Sequence, residues 1–139
     1  MLQLILGGAR SGKSALAEQR AAQSSGPVTY VATAQPLDAE MARRVAHHRA
    51  RRPATWGAVE EPIRLAATLD RLATPQSCLL VDCLTLWLSN LFFNGRAAAQ
   101  AEAGAPIDCP LLQAEVAALL DVLPHLPGTV ILVSNEVGW

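Results

Sequence analysis

Gly7-Gly8-Ala9-Arg10-Ser11-Gly12-Lys13-Ser14 follows the pattern G-x-x-x-x-G-K-[S/T]. This spacing wraps a backbone loop around a phosphate chain. Glycines let the loop close tightly, and its N–H groups then face the anion. The N-terminus of the following helix adds partial positive charge. In such a loop Lys13 reaches the β- and γ-phosphates, and the Ser14 hydroxyl ligates Mg²⁺. Lys13 carries a second signal: of the 11 basic residues, every one except Lys13 is arginine. A composition that favours arginine elsewhere leaves lysine where a forked guanidinium does not serve.

Asp82 closes the apolar run Leu79-Leu80-Val81. In a doubly wound sheet, an acid at the carboxyl end of a buried strand lies beside the phosphate loop. Asp82 is therefore the candidate Mg²⁺ ligand, direct or through water. The plainer alternative is a strand-end cap. A third constellation is Arg43-Arg44-Val45-Ala46-His47-His48-Arg49-Ala50-Arg51-Arg52, which holds half of the chain's arginines. On a helix, His47 has Arg43 and Arg51 four residues to either side, and His48 has Arg44 and Arg52. Positive neighbours disfavour imidazole protonation, which keeps the ring neutral and nucleophilic near pH 7. The same guanidinium groups suit a polyphosphate. Spacing does not choose between His47 and His48, and a solvated basic face is the bland alternative. Adjacent histidines diverge by about 100° on a helix, which argues against a paired metal site.

These residues need elements to position them. Residues 2–6 read as a short buried strand, 11–24 as a helix with Leu16 and alanines on its inner side, and 28–33 as a second strand. Asp38 is a candidate N-cap for a helix reaching about Arg52, where Pro53 stops it. Residues 56–60 suggest a short extended piece, and 62–72 a helix with Pro62 in its first turn. Then come a buried strand at 78–81, a heavily buried helix at 85–93, a helix at 111–123 and a strand at 129–134. Residues 94–110 read as a loop or insertion. Short apolar strands alternating with helices point to an α/β fold, P-loop NTPase-like, with a mostly parallel sheet flanked by helices.

Composition bounds the function. The 139 residues suit one nucleotide-binding domain, residues 1–139. Apolar residues make up 51% and charged residues 17%, which excludes disorder as the main state. A net charge of −1 and a pI near 6.3 argue against general nucleic-acid binding. The apolar stretch 78–93 is broken by Asp82, Ser89 and Asn90, so no membrane span is expected. Cys78, Cys83 and Cys109 form no C-x-x-C pair and read as reduced buried thiols in a cytoplasmic protein. The chain stops five residues after its last strand, and it reads as a domain lacking a C-terminal portion.

The sequence resembles the bifunctional adenosylcobinamide kinase / adenosylcobinamide-phosphate guanylyltransferase family of cobalamin biosynthesis. The resemblance is carried by residues 7–14 with Ala17-Glu18, by Tyr30-Val31-Ala32-Thr33-Ala34, and by the run 38–60 with His47-His48-Arg49 and Arg52-Pro53-Ala54-Thr55-Trp56. It is carried also by Leu80-Val81-Asp82-Cys83-Leu84-Thr85-Leu86-Trp87-Leu88-Ser89-Asn90-Leu91 and by Ser134-Asn135-Glu136-Val137-Gly138. It implies phosphorylation of adenosylcobinamide by ATP or GTP, then GMP transfer from GTP through a guanylylated histidine, by position His47. It also implies nucleotide contacts from Gly7, Gly8, Ala9, Arg10, Ser11, Gly12, Lys13 and Ser14, from Ala32, Thr33 and Ala34, and from Arg49, Ala50, Arg51, Arg52, Glu60 and Asp82. Ser14 and Asp82 would hold Mg²⁺. A corrinoid substrate and a trimer are implied too. The rival readings are another P-loop small-molecule kinase, whose basic helix only clamps phosphates, and a P-loop ATPase gripping nucleic acid through that helix. A truncated, non-catalytic relic is the third.

Overall fold

A computed structural model of the chain describes residues 1–7, 12–34, 39, 43, 46, 50, 52–94, 104 and 109–135. Strand β1, Leu2–Gly7, leads to helix α1, Lys13–Ala22, and then to β2, Val28–Ala32. Strand β3, Gly57–Glu60, precedes α2, Leu65–Leu72, and β4, Cys78–Asp82. Helix α3, Leu84–Asn94, helix α4, Pro110–Val122, a 3₁₀ turn at Leu123–His125 and β5, Thr129–Asn135, complete the described elements. The sheet has the order β1-β5-β4-β2-β3, and every pair is parallel. It is the expected α/β architecture, with helices on both faces.

Two cores fill the two faces. On one, Ala17 and Ala21 of α1 are fully buried against Ile5, Tyr30, Leu80 and Ile131. Two alanines one turn apart let the helix backbone approach the sheet closely. Leu16, expected on the inner side, is 41% exposed instead. On the other face, α2, α3 and α4 pack Leu65, Leu69, Trp87, Leu91 and Leu119 onto Val31, Leu79, Val81, Val130 and Leu132. The central strands are buried on both faces, and this is why they read as continuous apolar runs.

Three expectations change. Residues 2–6 were expected to form a buried strand, but β1 lies at the sheet edge. Ile5 is buried, whereas Leu2, Leu4 and Leu6 are 50%, 56% and 58% exposed. Helix α3 is buried along Trp87, Asn90 and Leu91 only, and Leu88 and Phe93 are exposed. The helix expected from Pro62 begins at Leu65. The carbonyls of Pro62 and Ile63 are taken by the Asn90 amide, at 3.1 Å, and the Trp87 indole N–H, at 2.9 Å. The Glu61 carboxylate meanwhile accepts the N–H groups of Ile63 and Arg64 just ahead of the helix, where negative charge is favoured.

The short extended piece expected near 56–60 is β3. Ala39, Arg43, Ala46 and Ala50 are helical and exposed, within the span expected to be a helix. Gly104 is the one described residue within the expected insertion between Asn94 and Cys109, whose character otherwise lies outside the described residues.

Candidate active site

The site assembles at the carboxyl ends of the strands, where ligands bind in open α/β sheets. Gly7 ends β1, and Gly12 caps α1 with φ 79°. A side chain at Gly12 would meet no atom within 4 Å, so the demand for glycine there is conformational. The Gly12 carbonyl accepts the Leu16 N–H at 3.0 Å, which closes the first helical turn. Lys13 is therefore the first residue of α1, and it is half-buried rather than fully solvent-facing. Its charge acts on the Cys83 thiol. Ser14 follows in α1. Gly8, Ala9, Arg10 and Ser11 lie outside the described residues, as do the side chain of Ser14 and the residues His47, His48, Arg49 and Arg51.

Strand register sets the acids. Ala32 of β2 pairs with Glu60 of β3 on one side and with Asp82 of β4 on the other. At the usual spacing of neighbouring strands, the backbones at Glu60 and Asp82 stand roughly 10 Å apart. Asp82 lies two residues beyond Leu80, so its side chain is on the same face, the one that carries α1. Tyr30 is on that face too, and its hydroxyl donates to Asp82 Oδ2 at 2.6 Å. The Arg52 guanidinium carbon lies 3.6 Å above the centre of the Tyr30 ring. Burial first, then the Asp82 charge and hydrogen bond, push the Tyr30 hydroxyl far above its ordinary pKa, so it stays a donor.

A second set of bonds locks the neighbouring loops. Thr33 is fully buried. Its hydroxyl donates to the Cys83 carbonyl at 2.8 Å and accepts the Cys83 N–H at 3.0 Å. The Thr33 N–H donates to the Asp82 carbonyl at 3.1 Å. Buried Asn90 donates to the Thr33 carbonyl at 2.7 Å, which ties α3 to the end of β2. Burial pushes the Cys83 thiol up, while the Leu86 N–H and the Lys13 charge pull the other way.

Of the residues expected to hold Mg²⁺, the described one, Asp82, suits the ion. Asp82 offers a hard carboxylate oxygen on the α1 face. Among the described residues no group of three or more His, Cys, Asp and Glu side chains stands ready to hold a metal.

The profile of the cobinamide kinase / cobinamide phosphate guanyltransferase family matches residues 3–139. The chain belongs to this family. It is 56% identical over 138 residues to a bifunctional adenosylcobalamin biosynthesis protein of Pseudomonas aeruginosa, covering 99% of this chain and 73% of that one. It is 39% identical to the corresponding protein of Escherichia coli K12, covering 99% and 76%. Among solved structures, it resembles an ATPase of a bacterial type III secretion system at 16% identity and TM-score 0.61, covering 99% of this chain and 44% of that one. It also resembles the ATPase EscN of enteropathogenic E. coli, solved with its central stalk EscO, at 17% identity and TM-score 0.64, covering 98% and 38%. The chain spans less than half of those two ATPase chains, and the likeness shows the P-loop fold alone.

Within this cobinamide kinase / guanyltransferase chain, the Tyr30 contacts were missed by the reading of the sequence. Tyr30 is the chain's only tyrosine, set in a strand of Val28, Thr29, Val31 and Ala32. Its partner Asp82 is 52 residues away, and no local pattern pairs them. The Thr33–Cys83 and Asn90–Thr33 bonds went unread for the same reason. No helix among the described residues is long and apolar enough to cross a membrane. The three cysteines are buried and unbridged, as expected.

Proposed function

We propose that the protein phosphorylates adenosylcobinamide from ATP or GTP and then transfers GMP from GTP to that phosphate, giving adenosylcobinamide-GDP. The observation that carries this reading is the family match along residues 3–139, joined to a Gly12–Lys13 helix start on the sheet face that also holds Asp82. The reading takes residues 1–139 as a single nucleotide-binding domain working in the cytoplasm, with a corrinoid and a nucleotide as substrates and assembly into a trimer. It assigns no nucleic-acid partner.

In the first step, the loop from Gly7 to Ser14 binds the phosphates, and Lys13 neutralises charge on the β- and γ-phosphates. Ser14 and Asp82 would hold Mg²⁺, which when bound offsets the charge of the phosphate oxygens. In the second step, an imidazole nitrogen of His47 attacks the α-phosphorus of GTP. A P–N bond forms, the α–β P–O bond breaks and pyrophosphate leaves. An oxygen of the corrinoid phosphate then attacks the same phosphorus, releases His47 and closes the new diphosphate. Arg49, Ala50, Arg51, Arg52, Glu60 and the Ala32–Ala34 segment complete the nucleotide contacts in this reading.

The test is transfer of label from γ-labelled nucleotide to cobinamide, compared with Lys13→Ala. The wild-type protein is expected to label cobinamide, and the variant to lose at least about two orders of magnitude in rate. No transfer by the wild-type protein contradicts the kinase reading. Transfer that survives in Lys13→Ala contradicts the role given to the loop.

A further inference from the structure

Tyr30 touches two groups that the proposed reaction uses in different steps. Its hydroxyl reaches Asp82, and its ring lies under Arg52, five residues beyond the candidate nucleophile. Both contacts form on the α1 face of the sheet, and the tyrosine is 7% exposed. A buried tyrosine hydroxyl needs an acceptor. A strand interior offers ordinary hydrophobic residues that need none, and Val31, Leu80 and Ile131 fill neighbouring positions. Placing a hydroxyl here makes one contact that phenylalanine would not make, the bond to a carboxylate at the strand ends. A carboxylate that accepts a short bond on one oxygen loses freedom to rotate, and its other oxygen is then presented in one direction. Groups that hold a metal's carboxylate in this way control metal affinity without touching the metal. The ring face adds a platform on which a guanidinium is attracted by the π-system. Pro53 follows Arg52 directly and restricts its backbone.

We propose that Tyr30 is a positioning residue, with its hydroxyl fixing the Asp82 carboxylate and its ring fixing Arg52 at the end of the basic segment. The proposal rests on the reading of Asp82 as the acid that faces Mg²⁺. Tyr30→Phe separates the two contacts, because it removes the hydroxyl and keeps the ring. Tyr30→Leu removes both. Arg52→Ala removes the second contact from a partly exposed position, without disturbing the core.

The measurement is calorimetric binding of a non-hydrolysable GTP analogue across a Mg²⁺ series, with circular dichroism as the control for folding. Tyr30→Phe is expected to raise the Mg²⁺ concentration needed for half of the full affinity gain by about tenfold. Tyr30→Leu and Arg52→Ala are expected, in addition, to slow labelling of the protein by α-labelled GTP severalfold. Asp82→Asn serves as the reference. If Asp82→Asn shifts the Mg²⁺ dependence and Tyr30→Phe does not, the hydroxyl has no positioning role and the proposal fails while the reading of Asp82 stands. If neither shifts it, the reading of Asp82 fails and the hydroxyl's role with it. Unchanged protein labelling in both Tyr30→Leu and Arg52→Ala overturns the part given to the ring.

Discussion

Lys13 shows how much a single residue type can say. An ammonium on a flexible stem is compact, and a guanidinium is a planar fork with five donors. A loop that wraps a phosphate chain leaves room for the first and not the second. Lys13→Arg is therefore expected to lose most of the nucleotide affinity, by about tenfold or more, although charge is kept. Calorimetric titration with GTP checks this, and wild-type affinity in the variant would show that only charge matters at the position. The start of α1 at Gly12 and Lys13 was legible because its signal is local, a glycine and a lysine between a strand and a helix. Asp82 was legible because it ends an apolar run. Tyr30 and Thr33 had no legible contacts, because their partners lie 52 and 50 residues further along the chain.

At the scale of elements, Asn90 holds the strand ends in place. From α3 it donates to the carbonyls of Thr33, after β2, and Pro62, after β3. Asn90→Ala leaves those carbonyls without that donor, and the Thr33 end is fully buried. The expected loss of stability is about 2–4 kcal/mol, read as a lower denaturant midpoint at unchanged slope. A loss below about 0.5 kcal/mol would mean that water replaces the amide without cost. The strands and most helices were foreseeable from apolar runs and from proline and glycine stops. The start of α2 was not, since Trp87 and Asn90 divert the carbonyls of Ile63 and Pro62 that a helix beginning at Pro62 would use. The exposure of Leu2, Leu4 and Leu6 was hidden too. A run of apolar residues does not reveal whether its strand is central or at the edge, and strand order decides that.

At the scale of the whole molecule, all three thiols are buried, Cys78 within the core on the α1 face. Cys78, Cys83 and Cys109 are 0%, 8% and 2% exposed. Burial raises the pKa of Cys78 and Cys83 above that of an ordinary thiol, and alkylation requires the thiolate. Iodoacetamide at pH 8 is therefore expected to label the folded protein far more slowly than the denatured chain, as read by mass spectrometry. Rapid labelling of the folded protein would contradict the packing described. The central claim also belongs to this scale, because the two proposed steps share one nucleotide-binding face but need different residues. The most direct test is incubation of the protein with GTP labelled at the α-phosphate, followed by mapping of the adduct. A GMP adduct, stable to alkali and labile to acid, is expected on His47, absent from His47→Ala and retained in His48→Ala. An adduct on His48, or none under conditions in which cobinamide is phosphorylated, would contradict it.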